Sequence, residues 1–224
     1  MAIINLETLA RTFIGPAIEI TKANIRKGMD DPALRAVHNR DQPNRVETLK
    51  SWFESYAALQ GFTKKDRRKV VAGVLSFADT EGCHCDQLPY DELIDKFHRL
   101  HGMCGKTAPL TSKGKERDLI SLTSKGLWCC YPNGVPMFDR LAQNSLWILC
   151  KLSQLRPKAS VASNGRYAVF ADVWFQIYDQ VEPIIAQEAD RIGYPYKLRV
   201  FDRMLWLIGQ PNYAIDISTI RRLF

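Results

Sequence analysis

Apolar residues recur three and four positions apart over most of this chain, and that spacing limits its fold more than any other feature. Val70, Val71, Val74, Leu75 and Phe77 repeat this way, as do Val46, Leu49, Phe53 and Tyr56. A period near 3.6 residues lines up one side of a helix. Alternating runs that would form strands are sparse, so the expected fold class is all-α. Helices are expected over about Leu6–Lys27, with Gly15-Pro16 as a point of interruption, and over Arg45–Gln60. Others are expected over Thr63–Ala78, Tyr90–His101, Glu116–Tyr131, Pro136–Leu155 and Tyr167–Ala189, with a last one beginning at Val200. Thr63 with Asp66 resembles a capping box at the start of its helix. The Asp-, Pro- and Asn-rich stretch from Met29 to Asn44 reads as a loop. Asp79–Pro89 and Gly102–Lys115 read as connections, and Arg156–Gly165 as irregular.

At 224 residues the chain is long enough for one large domain or two small ones sharing a core. No apolar run approaches the roughly 18 residues of a membrane-crossing helix. The segment Met1–Glu7 lacks the basic and apolar regions of a signal peptide, so the expected location is cytoplasmic. There, six cysteines are expected as reduced thiols. Cys83-His84-Cys85 invites a metal reading with Cys104, His98 or His101. A one-residue gap between cysteines does not fit a zinc knuckle, however, and no second pair follows. The expectation is therefore no metal and no cofactor.

The net charge is +7 and the isoelectric point near 9.1, a balance suited to a polyanionic partner. The densest cluster is Lys64-Lys65-Asp66-Arg67-Arg68-Lys69, and Lys113-Gly-Lys115 follows later. Basic residues in a first helical turn oppose the helix dipole, and a nearby phosphate would hold them there. Lys64, Lys65, Arg67, Arg68, Lys113 and Lys115 are accordingly the candidate phosphate contacts of a nucleic-acid partner, the alternative for each cluster being a solvated helix face. No basic segment carries the unbroken apolar face of an interfacial helix, so a membrane partner is not expected. A monomer is expected.

Leu122-Thr-Ser-Lys-Gly-Leu-Trp-Cys-Cys-Tyr-Pro-Asn-Gly-Val-Pro-Met-Phe-Asp139 concentrates the chemistry. On the expected helix Leu122, Lys125, Trp128 and Cys129 share one side, which would partly desolvate Lys125 and favour its neutral, nucleophilic amine. Snorkelling of the ammonium to water is the structural alternative. Pro132 ends the helix and Asn133-Gly134 is a turn signal. Pro136 suits a first helical position, which places Asp139 in or near the first turn of the next helix. There it either stabilises the dipole or presents an ionised carboxylate to a reacting centre.

Lys125 followed by Val135-Pro136-Met137-Phe138-Asp139 resembles the catalytic element of the helix-hairpin-helix DNA glycosylases, above all their 8-oxoguanine branch. The resemblance covers about 30 residues. It implies two helical subdomains around a cleft, approximately 1–105 and 106–224, the second holding the catalytic helix-turn-helix. It implies that Lys125 is the Schiff-base lysine and Asp139 the essential aspartate. The family's hairpin reads Leu-Pro-Gly-x-Gly before the lysine, whereas this chain has Leu119-Ile-Ser-Leu-Thr-Ser124, leaving Thr123, Ser124 and backbone amides to meet phosphate. The lysine-to-aspartate gap is also shorter. With no four-cysteine cluster near the C-terminus, no iron–sulfur cluster is implied. The pattern is similar to the bacteriophage replication inhibition glycosylases, which excise hypermodified phage bases in anti-phage defence.

The implied partner is double-stranded DNA carrying a modified base, which must be flipped from the stack to react. Trp128, Tyr131, Phe138, Trp52 and Trp174 are the candidate stacking residues of that base pocket, or else plain core. Excision leaves an abasic site, with lyase activity if Lys125 attacks. A DNA-binding module without catalysis and a helical protein-interaction protein are the alternatives. A metal-dependent nuclease lacks clustered carboxylates.

Overall fold

The computed structural model describes residues 5–84, 87–111 and 114–210, apart from the side chains of 162–164. Among them lie nine helices and no strand: α1 (Leu6–Arg26), α2 (Asp31–His38), α3 (Arg45–Ser55), α4 (Lys64–Glu81), α5 (Tyr90–Thr107), α6 (Ile120–Cys130), α7 (Arg140–Ser153), α8 (Val161–Arg191) and α9 (Lys197–Ile208). The fold is all-α. No helix among the described residues is long and apolar enough to cross a membrane.

Local chemistry explains most boundaries. Thr63 caps α4 by accepting the Asp66 amide at 3.2 Å, as the capping pattern predicts. Gly15-Pro16 does not interrupt α1, although proline removes one helical hydrogen bond. Leu9, Ala10 and Phe13 before it and Ala17, Ile18 and Thr21 after it are all buried, so packing on both sides holds the helix through the proline. The expected loop from Met29 to Asn44 contains α2. Its proline sits at the helix start, where no amide is needed, and Ala33, Leu34, Ala36 and Val37 form a buried stripe. Arg45 then closes α2, its Nε donating to the Ala36 carbonyl at 2.6 Å while its guanidinium grips Asp79. A second helix is continuous only in part: in α8, Gly165 takes the non-helical φ of 79° and breaks the run.

The chain divides into two compact units, Met1–Ala23 with Phe138–Phe224 and Asn24–Met137. The expected division near residue 105 is not where the chain parts. A cut there would split α5, which packs on both α4 and α6. In the Asn24–Met137 unit, α6 also packs on α2 and α4, and every residue from Leu122 to Cys130 is buried. A helix enclosed on all sides belongs in the middle of its unit. In the other unit α7, α8 and α9 pack on one another. Gly209 permits this closeness, because an added Cβ would stand 2.4 Å from the Leu141 carbonyl oxygen.

Candidate functional site

Lys125 lies at the centre of α6 with only 4% of its surface exposed. Its Nζ donates to the Ser121 hydroxyl, one turn earlier, at 2.6 Å. Ser121 escaped the sequence reading, although the four-residue spacing that joins the two is a readable signal. The helix starts at Ile120 rather than Glu116, because the Asp118 carboxylate accepts the Ile120 amide at 3.2 Å and ends the connection there. The consequence for Thr123 and Ser124 is a correction. Both are fully buried, and the Ser124 hydroxyl donates to the Ser121 carbonyl at 3.1 Å. Enclosed hydroxyls meet no phosphate at the surface. Gly126, next to the lysine, has another use: an added Cβ would come within 3.1 Å of Val74, so glycine lets α6 and α4 lie close.

Asp139 heads the other unit. Helix α7 begins at Arg140 and not at Pro136, with Asp139 as its N-cap in extended conformation, φ −140° and ψ 146°. Its Oδ1 accepts the Leu141 amide at 2.8 Å, and no other hydrogen bond to the carboxylate is made among the described residues. The side chain is half-buried. A carboxylate so placed is fixed in direction by one oxygen and sits at the positive end of a helix. The two residues of the Lys–Asp pair thus belong to different units, and the Val135–Asp139 segment contains the passage from one to the other.

The five candidate stacking aromatics are all core residues. Trp52, Trp128 and Tyr131 are buried in the Asn24–Met137 unit, Phe138 and Trp174 in the other. Trp52 and Trp128 stack on each other at 5.8 Å, and the Trp52 indole donates to Asp30. Trp174 donates to Asp202 at 2.9 Å and packs on Tyr178 and Phe201. Phe138 meets the edge of Phe170 at 5.0 Å, and Tyr131 meets His84 at 4.8 Å. Ring faces already covered by neighbouring side chains offer no platform to a flipped base. Helical spacing marks an aromatic as inward-facing, which is why it could not separate a base pocket from a core.

The structure gathers the first basic cluster into a groove of about 960 Å³ between α3 and the first turns of α4. Lys64 and Lys65 line it with Arg67 and Arg68, as do two lysines outside the expected set, Lys50 and Lys69. The arginines are partly spoken for. Arg67 pairs with Glu54 at 2.8 Å and Arg68 with Glu47 at 2.6 Å. Lys50 and Arg68 together hold the Glu47 carboxyl below its usual range, the Lys50 hydrogen bond contributing most. Lys115 is exposed on the connection before α6, away from any ion pair among the described residues. Lys113 lies outside the described residues.

The thiols of the Asn24–Met137 unit divide by environment. A hydrogen bond with Cys130 holds the Cys83 thiol below its ordinary value, while the same bond and burial push Cys130 up. Burial pushes Cys104 up to about 12. Cys85 lies outside the described residues, and among those described no three His, Cys, Asp or Glu side chains are grouped to hold a metal. The chain matches no family model, no curated protein and no solved structure.

Proposed function

We propose that the chain is a DNA glycosylase that excises a modified base, a hypermodified pyrimidine of phage DNA being the favoured substrate class. The observation that carries this reading is Asp139. Its backbone is extended, one oxygen is tied to the Leu141 amide, and the other makes no hydrogen bond among the described residues, at a helix N-terminus. In the proposed reaction the bond between C1′ and the base breaks, the electron pair leaves with the base, and positive charge develops on the sugar. Asp139 stabilises that charge. Water attacks C1′ and an abasic site remains; attack by Lys125 as a neutral amine, giving a Schiff base after ring opening, requires its enclosure within α6 to open first. The basic groove along α4 supports DNA as the partner.

Release of free base from natural and phage-modified duplexes, read by mass spectrometry, tests the reading. Wild type is expected to release base, and Asp139→Asn to bind the same DNA without releasing it. No release from any substrate sinks excision. Borohydride trapping tests Lys125, since only an amine on C1′ leaves a reducible adduct.

A second reading, DNA binding without catalysis, is favoured by the enclosure of Lys125 and of all five aromatics. It predicts salt-sensitive binding and no released base.

A further inference from the structure

A second groove of about 760 Å³ lies between α4 and α5, and Lys69 lines both it and the groove on α3 and α4. Lys106, near the end of α5, stands with Met103 and Thr107 across from Lys69 and Ser76 of α4. Four cations along this path, Lys64, Lys65, Lys69 and Lys106, are exposed and make no ion pair among the described residues. They are also poorly placed for local stability. Lys64 and Lys65 occupy the positive end of α4, and the pairs Lys64–Arg68 and Lys65–Lys69 set like charges four residues apart on one helix. An anion would relieve both repulsions at once.

The lining also says what kind of anion. Among the described residues no aromatic side chain lines either groove to offer an unstacked base a resting place. None of the exposed large apolar residues, Ile25, Leu110, Val161 and Trp206, lies in it, so it offers no anchor for a lipid surface. What remains is a row of point charges along a helix, suited to phosphates that are presented in sequence and indifferent to base identity.

We propose that these two grooves, which meet at Lys69, are a track for the backbone of double-stranded DNA, with Lys64, Lys65, Lys69 and Lys106 as its phosphate contacts. Arg67 and Arg68 shape the groove through Glu54 and Glu47. The inference rests on the DNA partner of the preceding reading and is independent of base excision. Lys69 and Lys106 carry it beyond the N-terminal cluster of α4.

The test is the salt dependence of binding to an unmodified duplex and to a single strand of the same length. Replacing all four lysines by glutamine is expected to lower the slope of log affinity against log salt by about 3 to 4, since each lost phosphate contact removes about 0.9. Duplexes of different sequence are expected to weaken alike, and the thermal midpoint to hold or rise slightly, because all four side chains are exposed and the like-charge pairs on α4 are removed. A folded variant with the wild-type slope overturns the track, as does wild-type preference for the single strand. Wild-type binding without base release on any modified duplex counts against excision alone. Base release with an unchanged slope in the variant counts against the track alone.

Discussion

Asp139 is an N-cap in the structure and a stabiliser of positive charge in the proposed reaction, two duties that chemistry can separate. As an N-cap it needs an oxygen facing the Leu141 amide, and asparagine supplies one almost as well as aspartate. As a stabiliser of positive charge it needs the full negative charge. Asp139→Asn is therefore expected to unfold within about 0.5 kcal/mol of wild type while losing base release, and Asp139→Ala to lose about 1 kcal/mol as well. Denaturant unfolding of both variants beside the release assay makes the comparison. Equal release by Asp139→Asn and wild type would leave this residue a cap and nothing more. Lys125 is the harder half of the pair to read. Spacing on α6 placed it beside apolar groups, and it is buried, but so are its neighbours Thr123 and Ser124. No residue pattern on a single helix states that the remaining sides are covered too.

Helix starts were readable where a side chain does the capping. Thr63 with Asp66 opens α4 as expected, and Thr63→Ala is expected to cost about 1 kcal/mol in thermal or denaturant unfolding. Where tertiary packing decides, local signals misled. Proline did not stop α1, polar residues did not prevent α2, and Pro136 did not begin α7. In the last case Asp139, three residues on, offers a better cap than a proline can. Gly209 shows how closely such elements are fitted. Any Cβ there collides with backbone rather than with a yielding side chain, so Gly209→Ala is expected to cost about 1–3 kcal/mol. Because the clash falls on Leu141, whose amide Asp139 holds, the same variant is expected to reduce base release at temperatures where it remains folded. A wild-type unfolding midpoint for Gly209→Ala would contradict the packing of α9 on α7.

The molecule as a whole should weaken in alkali. Burial raises Cys104 from its ordinary 9.0 to about 12, and raises Tyr131 and Tyr178 as well. A raised folded value means that the folded state keeps a proton the unfolded chain gives up. The stabilisation is complete below about pH 9 and is lost as pH climbs through 12. Thermal midpoints are expected to fall steadily from pH 9 upward, and Cys104→Ala or Cys104→Val to flatten part of that fall. A Cys104 thiol alkylated in the folded protein at pH 9 would contradict the burial that drives the shift.

Helical periodicity, the threonine cap, the excess of positive charge and the stop after Tyr131 are properties of neighbouring residues, and the chain states them without any tertiary structure. Burial on every side, the partition at Met137, and the choice between core aromatic and base platform depend on residues brought from far along the chain. Trp52 covers Trp128, Val74 lies against Gly126, and Lys106 from α5 extends a charge row begun on α4. Local sequence sets which way a helix can face; what it faces is set by partners that folding alone brings to it.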